Sequence, residues 1–344
     1  MATLAEYIWT DGTKPSPLLR SKTRVIYENV GHDPADFPHW QFDGSSTNQA
    51  PGSDSDRILK PVRVVEDPVR GPGNCLVLCE VFEADGVAPH ATNLRADLRQ
   101  VMERGGNDAD FWVAFEQEYT FFKGSRPLGF PAERRFPAAQ GPYYCGVGAD
   151  EVYGRPVVEA HLRACMAAGI RLTGINAEVM PGQWEFQCGG PHADPLMAAD
   201  HLWLARWLLY RIGEDHGVSA TLDPKPVPGD WNGAGMHTNF STAAMRTEGG
   251  RKVIEETCEQ FKEFHQRHLA IYGAGNEGRL TGQHETCSYG EFRWGVADRT
   301  ASIRIPRMVA DEGFGYMEDR RPAANADPYA ICGAIVRSTL GLWG

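Results

Sequence analysis

The sequence predicts an α+β protein in which a small strand-rich unit precedes a larger mixed unit. Residues 1–88 contain several short runs of strand composition and no strong helical pattern. Beyond them, amphipathic helical segments alternate with short strand-like segments, and no internal repeat stands out. The chain of 344 residues is long enough for two domains with ample core. We therefore predict a first domain at 1–88 and a second domain at 89–344.

Strands are expected in both units. In the first unit they are separated by polar loops, with a turn at Asp11 and Gly12. In the second unit a long apolar strand covers 111–122, and a pair of short strands is interrupted at Pro181 and Gly182. The remaining predicted strands are 6–9, 23–28, 60–66, 76–82, 234–241, 302–306 and 316–320.

Helices are expected only in the second unit, over 93–104, 156–168, 196–215, 252–272 and 328–340. Asp194 followed by Pro195 is typical of a helix start, and Gly217 is typical of a helix end. The helix between them is apolar nearly all round, which predicts a central buried helix.

Two of these helices have one apolar side. In 156–168 that side contains Val158, Leu162, Cys165 and Met166. In 252–272 the side chains expected to point inward are Ile254, Cys258, Phe261, Phe264 and Leu269.

Composition excludes several classes of protein. The net charge of −11 argues against a nucleic-acid surface, and no apolar run of about 18 residues predicts a membrane span. The N-terminus lacks the basic and apolar regions of a signal peptide, and no long C-terminal extension is expected after the last helix. The eight cysteines show no CxxC or zinc pattern, which favours reduced thiols in the cytoplasm.

The strand at 111–122, FWVAFEQEYTFF, carries the first indication of chemistry. At period two, Trp112, Glu116 and Glu118 share one face. The two carboxylates are then roughly 7 Å apart at the backbone and would repel by about 2–3 kcal/mol at partial burial. A fold tolerates this if the pair takes up protons or if a multivalent cation lies between them. The alternative is an edge strand with both glutamates solvated.

Further candidate ligands lie in other predicted strands. Glu178, Glu185, His237 and Glu318 each occupy a strand context, so the set contains five glutamates and one histidine. Each of them alone is more often a hydrogen-bonded polar residue than a ligand. Together they predict a metal site, and the predominance of carboxylate oxygens favours Mg²⁺ or Mn²⁺ over zinc.

Arginines form a second group in the last third of the chain. They lie among Gly, Pro and short strands rather than on a helix face, and guanidinium groups suit two-point contacts with carboxylates and phosphates. Arg307 fits a solvated surface equally well. The group consists of Arg279, Arg299, Arg304, Arg307, Arg320 and Arg321.

Three apparent motifs are set aside. Residues 273–278 match GxGxxG but follow a helix rather than a strand, so they do not predict a dinucleotide site. His265 and His268 are three residues apart on a helix without an acidic companion, and we expect them at the surface. No GxxxxGK[ST] motif is present, so a nucleotide would not be held by a P-loop.

Long segments of the chain resemble glutamine synthetases, in the type II (eukaryote-like) branch. The resemblance runs from about Ala5 to Leu340 and is carried by FDGSS, EQE, NAEVMPGQWEF, NGAGMHTNFST, RLTGQHET, ASIRIPR and MEDRRPAANADPYA. It implies a β-grasp domain followed by a catalytic domain with a curved antiparallel sheet. It also implies a homo-oligomer of two stacked five-membered rings, a decamer, with active sites shared between adjacent subunits.

The reaction implied by the resemblance is the ATP-dependent ligation of ammonia to L-glutamate. Its products are L-glutamine, ADP and phosphate, and its intermediate is γ-glutamyl phosphate. Two or more Mg²⁺ or Mn²⁺ ions per site are implied, with ATP as co-substrate. One site would take Glu118, Glu178 and Glu185, and the other Glu116, His237 and Glu318.

The resemblance also implies roles for other residues. Catalytic roles fall to Asp43, which would reach ammonium in the adjacent subunit, to Glu285 on a flap and to Arg320 near the transferred phosphoryl group. The implied substrate-binding residues are Arg279, Asn232, Gly233, Gly235, Tyr144 and Ser46, and the implied ATP-binding residues are Trp112, Arg299, Arg304 and Ser241.

Some positions depart from the family pattern. Asp298 stands where Asn commonly precedes Arg299, Gly190 replaces a usual Pro, and 287–294 differs from the commoner flap wording. These changes bear on nucleotide affinity and flap dynamics rather than on the metal chemistry.

Two alternative functions remain. The first is a γ-glutamyl-polyamine or other amine ligase of the same superfamily, against which intact Asp43, Tyr144 and Glu285 favour ammonium. The second is a non-catalytic structural relative, which would be expected to lose metal ligands, whereas all six are retained here.

Overall fold

The computed structural model describes residues 2–130 and 137–343. Its first sheet has five strands in the order β2-β1-β5-β4-β3, and the central pair β1 and β5 runs parallel while the other pairs are antiparallel. This is the strand-rich first unit that the sequence predicts. The strands are β1 (Thr3–Thr10), β2 (Leu19–Ile26), β3 (Trp40–Asp43), β4 (Asp56–Glu66) and β5 (Cys75–Phe82).

Strand β5 is buried along its whole length because both of its faces are covered. Val77 and Cys79 belong to the core of the first sheet, whereas Leu76 and Leu78 belong to the large core of the second unit. Alternate side chains of one strand therefore point into two cores. The two units are joined by shared apolar packing.

The second sheet contains nine strands. Its main order is β12-β13-β14-β11-β6-β9-β8, and β7 and β10 also pair with β6. All of its pairs are antiparallel except β12 with β13, which is parallel, so the sheet is mixed rather than purely antiparallel. The strands are β6 (Trp112–Lys123), β7 (Arg126–Pro127), β8 (Leu172–Ala177), β9 (Gln183–Gly189), β10 (Ser219–Thr221), β11 (Met236–Ser241), β12 (Trp294–Val296), β13 (Ile303–Ile305) and β14 (Met317–Asp319).

Seven α-helices are present in the described residues, all in the second unit. The prediction for the central helix is confirmed: Asp194 accepts from the N–H groups of Leu196 and Met197, and Gly217 ends the helix at φ 62°. The helices are α1 (Leu94–Val101), α2 (Arg155–Ala167), α3 (Pro195–His216), α4 (Gly250–Glu263), α5 (His265–Leu269), α6 (Arg307–Glu312) and α7 (Pro328–Leu340). None of the helices that the structure describes combines the length and apolar composition needed to cross a membrane.

A buried ionic cluster ties the two units together. Arg95 on α1 donates to Glu80 of β5 at 2.8 Å and to both carboxylate oxygens of Asp200 on α3 at 2.8 and 3.0 Å. Arg63 of β4 and the hydroxyl of Tyr329 also donate to Asp200, at 2.9 and 2.8 Å. Every charge in the cluster has a partner, as burial requires.

Two predictions about helices are wrong. The single helix expected at 252–272 is divided at Phe264, whose φ of −95° and ψ of 8° separate α4 from α5. Met166 was expected on the inner face of α2, but it is 64% exposed, and His161 lies on the buried face instead. The polar ring of His161 is accommodated there because its Nε2 bonds to the Ala205 carbonyl at 2.9 Å.

The surface prediction for His265 and His268 is also wrong. Both are buried, at 6% and 0% exposure, because α7 and the segment that follows β14 cover this side of α5. The His268 ring contacts Ser338 Oγ at 2.6 Å and accepts from Arg321 at 2.7 Å. Arg321 in turn donates twice to Asp319. The acidic companion is thus distant in sequence and reaches the histidines through an arginine.

Candidate active site

Strand β6 places two carboxylates on one face at the centre of the second sheet. Phe115, Gln117 and Tyr119 are buried on the opposite face, as the period-two pattern predicts. β6 pairs with β11 on one side and with β9 on the other, so the edge-strand alternative is wrong. Glu116 and Glu118 therefore need partners other than bulk solvent.

One group of three candidate ligands is brought together by strand register. His237 on β11 lies directly opposite Glu116, and Glu318 on β14 lies beside them. The His237 Nδ1 atom is 3.3 Å from a Glu116 oxygen and 3.4 Å from a Glu318 oxygen. One ligand atom from each residue lies within 4.8 Å of the others. Asn239 holds Glu116 by a hydrogen bond of 2.7 Å.

Three arginines surround this first group. Arg304, the register partner of Glu318, donates to it through Nε, and Arg320 donates to its other oxygen at 2.7 Å. Arg279 donates to His237 Nε2 at 2.9 Å. Burial, reinforced by Arg320, holds the pKa of His237 well below its usual range. The imidazole is therefore neutral, as metal coordination requires.

A second group of three carboxylates lies beside the first. Glu118 is directly opposite Glu185 on β9, and Glu178 follows β8. Ligand atoms from the three also lie within 4.8 Å of one another. Asn176 donates to Glu178 at 2.9 Å, and Gln187 donates to Glu185. The backbone N–H of Gly235 donates to Glu118.

Burial and mutual repulsion hold protons on the second group. Burial raises the pKa of Glu118 to about 7, and burial together with Glu118 raises the pKa of Glu185 to about 8. Burial and the neighbouring Glu118 and Glu185 also raise the pKa of Glu178 well above its usual range. Three neighbouring carboxylates, two of them buried and all with raised pKa values, form a donor set that fits a hard divalent cation.

The backbone approaches Arg279 too closely to carry side chains at two positions. A Cβ atom at Gly235 would lie 2.3 Å from Arg279 Nη2, and one at Gly233 would lie 2.6 Å from its Cγ. Arg279 is 5% exposed. Asn232 also lies nearby, where its side-chain oxygen accepts from Gln140 at 2.8 Å. Four of the six residues for which substrate binding is implied thus lie close together, since Gly233 and Gly235 approach Arg279 and Asn232 precedes Gly233.

A cavity of about 310 Å³ opens at the N-terminal end of β6. Its lining includes Trp112, Ser241 and Tyr316, and it extends to Glu116, the first member of the first metal-ligand group. Arg246 donates to Ser241 Oγ at 2.9 Å and lies 3.8 Å from the centre of the Trp112 ring. The volume suits part of a nucleotide.

Two of the residues implied in ammonium binding lie in the first unit. Asp43 ends β3 with its carboxylate fully exposed, and it accepts from Ser45 and from Ser46 Oγ at 2.6–2.9 Å. These hydrogen bonds, chiefly that from the Ser45 hydroxyl, lower its pKa to about 2. Its bonded partners belong to its own turn rather than to the metal-ligand groups.

The loop that carries Tyr144 lies close to the second group. The Cys145 N–H donates to the Ala177 carbonyl at 2.9 Å, directly before Glu178. Burial, with contributions from Cys145 and Glu178, raises the pKa of Tyr144, and the exposed Arg299 acts in the opposite direction. Tyr144 remains 57% exposed. The structure therefore brings Tyr144, Glu178 and Arg299 into one neighbourhood.

Glu285, for which the resemblance implies a flap position, is exposed. It follows His284, and both have left-handed backbone conformations, with φ values of 52° for His284 and 58° for Glu285. Its carbonyl accepts from Arg320 at 3.2 Å, which connects the flap to the first metal-ligand group. Asp298 accepts from the N–H and hydroxyl of Thr300 at 2.8 and 2.7 Å. Asp298, which differs from the family pattern, thus accepts the hydrogen bonds that close a local turn.

Several residues of the site were not singled out in the sequence. Asn176 and Gln187 bind the second group, and Arg246 and Tyr316 help to form the cavity. Asn176, Gln187, Asn239 and Tyr316 could have been found, because each lies two residues from a candidate ligand in a predicted strand and so shares its face. Arg246 carried no such signal, because its place beside Trp112 depends on the pairing of β6 with β11.

Two groups of side chains that could each hold a metal ion, bordered by guanidinium groups and a cavity of about 310 Å³, are typical of metal-dependent enzymes acting on anionic reactants. The family model described as glutamine synthetase, beta-Grasp domain, matches residues 1–84, and the one described as glutamine synthetase, catalytic domain, matches residues 92–267. The chain belongs to the glutamine synthetase family.

Known relatives are similar over nearly the whole chain. A chloroplastic glutamine synthetase from Chlamydomonas reinhardtii is 53% identical, covering 98% of this chain and 90% of that protein. A glutamine synthetase from Streptomyces viridochromogenes is 56% identical, covering 96% and 95%. The solved glutamine synthetase of Plasmodium falciparum superposes with a TM-score of 0.79 at 16% identity, covering 98% of this chain and 72% of that one, which shows the fold.

Proposed function

We propose that this enzyme ligates ammonia to L-glutamate at the expense of ATP. The γ-phosphoryl group of ATP passes to the γ-carboxylate of glutamate, and ammonia then displaces phosphate from the acyl carbon to give L-glutamine. The observation that carries this proposal is the pair of three-residue ligand groups side by side on one sheet face, next to Arg304 and Arg320. Membership of the glutamine synthetase family supports it.

The six ligands fit Mg²⁺ or Mn²⁺. Glu118, Glu178 and Glu185 would hold one ion, and Glu116, His237 and Glu318 would hold another. Such ions, when bound, neutralise phosphate oxygens so that two anionic reactants can approach. His237 is kept neutral by burial, and the raised pKa values in the second group mean that a cation replaces protons there.

ATP and glutamate are bound by different residues of the site. Trp112 and Ser241 line the nucleotide pocket, Arg299 and Arg304 face its phosphates, and Arg320 lies near the transferred phosphoryl group. Within the described part of the chain, Arg320 Nε is buried without a hydrogen-bond partner, which leaves one donor for an oxygen of the reacting groups. The glutamate is bound by Arg279, Asn232, Gly233 and Gly235.

Ammonium is captured by carboxylates from two subunits. Asp43, whose low pKa keeps it anionic, approaches Tyr144 and Glu178 of a neighbouring chain together with Ser46. A carboxylate at this point binds the ammonium cation and takes its proton, which releases ammonia as the nucleophile. Glu285 closes the glutamate side and limits hydrolysis of the acyl phosphate. This arrangement requires a homo-oligomer, which we propose is a decamer of two pentameric rings.

A reducing compartment suits the chain. All eight cysteines are free thiols, and Cys145 is exposed close to the site. We therefore place the enzyme in the cytoplasm.

The test is glutamine formation from ATP, glutamate and ammonium with Mg²⁺ or Mn²⁺, measured together with phosphate release. We expect glutamine and phosphate in equal amounts and no product without a divalent cation. Replacing ammonium by polyamines and other amines should leave phosphate release near background. A higher rate with an amine, or no ligation with any acceptor, would contradict the proposal.

A further inference from the structure

One short turn is fixed to the start of β6 on both sides. The turn comprises residues 190–193 and closes with a hydrogen bond of 3.0 Å from the Ala193 N–H to the Gly190 carbonyl. The Gly190 N–H donates to the Val113 carbonyl at 2.9 Å, and the Val113 N–H donates to the Ala193 carbonyl at 2.9 Å. Arg171 also donates to the Pro191 carbonyl. The 190–193 turn is therefore rigidly placed beside Trp112, the residue before Val113.

His192 lies at the tip of this turn in a left-handed conformation, with φ 65°. Histidine tolerates this region better than most non-glycine residues. Its exposed imidazole packs on the indole of Trp112, with ring centres 4.3 Å apart and planes inclined by 54°. The backbone conformation thus directs one aromatic side chain onto another.

The same indole has a second neighbour. The Arg246 guanidinium, 3.8 Å from the ring centre, is itself held by the carbonyl of Asp110 at 2.7 Å and by Ser241. Trp112 borders the 310 Å³ cavity, and so do Gly190 and Pro191 from the turn. Two contacts therefore fix the orientation of an aromatic wall before any ligand enters.

We propose that His192 is a positioning residue for the nucleotide. It holds the Trp112 indole in the orientation that the nucleotide base meets, and so increases nucleotide affinity without touching the reacting atoms. The inference rests on the proposed function in so far as the cavity is the nucleotide pocket. Preorganisation of this kind raises affinity because fewer side chains must be ordered on binding.

The experiment measures ADP binding with Mg²⁺ by calorimetry on the full-length oligomer. His192→Asn removes the ring and keeps a residue that accepts the left-handed conformation, while His192→Phe keeps a ring. Because an aromatic pair of this kind contributes on the order of 1 kcal/mol, we expect roughly threefold to tenfold weaker ADP binding in H192N, with at least partial recovery in H192F. The matched control is His216→Asn, an exposed histidine at the far end of α3.

Kinetics and a second background separate positioning from other roles. In H192N the KM for ATP should rise by a similar factor, while kcat and the KM for glutamate stay near wild type. In a Trp112→Leu background, H192N should cause no further loss, because its effect passes through the indole. The inference would be overturned if H192N bound ADP as tightly as wild type. It would also be overturned if H192N reduced ADP affinity equally in the wild-type protein and in the Trp112→Leu variant. A wild-type protein that binds ADP in this way but forms no glutamine would contradict the proposed function and leave this inference standing.

Discussion

Asn239 illustrates how a residue outside the ligand groups supports them. Its amide donates to Glu116 at 2.7 Å and so orients one carboxylate of the first group. Partners of this kind typically change metal affinity by 10- to 100-fold when they are removed. We therefore expect Asn239→Ala to weaken Mn²⁺ binding about tenfold, measured by titration with electron paramagnetic resonance. The exposed Asn107→Ala is the control, and equal affinities in both variants would refute the role.

His268 predicts how stability depends on pH. Burial and the adjacent Arg321 lower its folded-state pKa from 6.5 to about 2, so the unfolded chain binds the proton more readily. The contribution of His268 to stability is therefore complete above pH 6.5 and is lost as the pH falls below that value. Between pH 7.5 and pH 5.0 it should remove about 2 kcal/mol from the free energy of unfolding.

The measurement compares denaturant unfolding at the two pH values in wild type and His268→Gln. The variant lacks the ionisable ring but retains an amide that can accept from Arg321. It should be less stable than wild type at pH 7.5 and should lose about 2 kcal/mol less on acidification. His216→Gln, at an exposed position, should follow the wild-type pH dependence. An identical slope in all three proteins would show that His268 does not carry the effect.

At the scale of elements, the residue before β11 must be a glycine, because a side chain at Gly235 would collide with Arg279. Gly235 donates to Glu118 and touches the Arg279 guanidinium, so one residue contacts both the second group of candidate metal ligands and the arginine proposed to bind glutamate. Gly235→Ala must displace Arg279, because the new Cβ atom would lie 2.3 Å from Nη2. We expect kcat/KM for glutamate to fall by about a hundredfold, as misplacement near 1 Å commonly does.

Glycine at an open position provides the control for this prediction. Gly52 has no heavy atom within 4 Å of a built Cβ atom, so Gly52→Ala should retain wild-type activity. Circular dichroism and melting curves should be similar for both variants. Wild-type kcat/KM in G235A would mean that Arg279 can move without consequence.

Elements with strong internal patterns were predictable from the sequence. The alternation along β6 and the cap residues of α3 are local, and both predictions are confirmed. The burial of His268 was not predictable, because its ring contacts Arg321 and Ser338, far away in the chain. The break at Phe264 is marked by no helix-ending residue in the local sequence. The contact of His192 with Trp112 likewise arises from hydrogen bonds between two distant segments.

At the scale of the whole molecule, the proposed sharing of active sites has a direct test. Asp43→Ala should leave ADP binding intact and nearly abolish glutamine formation. The control Asp54→Ala, at an exposed position, should leave both ADP binding and glutamine formation near wild type. Glu185→Gln should also be inactive, because one of the proposed metal ligands is lost. When D43A and E185Q chains are assembled together at random, about one quarter of the sites should combine an intact Glu185 with an intact Asp43 of the neighbour.

The mixed assembly should therefore recover about a quarter of wild-type activity. The control replaces the E185Q chain by one carrying both substitutions, which provides no intact Asp43 and should stay inactive. No recovery in the first mixture, in particles of the same mass as wild type, would show that each site is built from a single chain.

Glu116 and Glu118 lie two residues apart on β6, and this spacing limits which divalent cations can replace Mg²⁺ at the two proposed sites. Their separation is one full repeat of the extended backbone, roughly 7 Å, and hydrogen bonds to β9 and β11 prevent that repeat from stretching. A cation of larger radius, such as Ca²⁺, needs oxygen atoms about 0.4 Å farther away than Mg²⁺ does. Side chains can lengthen their reach to each ion, but the strand cannot move the two centres apart. Substitution by Ca²⁺ would therefore crowd the space between the two proposed ion positions, where the reactants of the proposed reaction would meet.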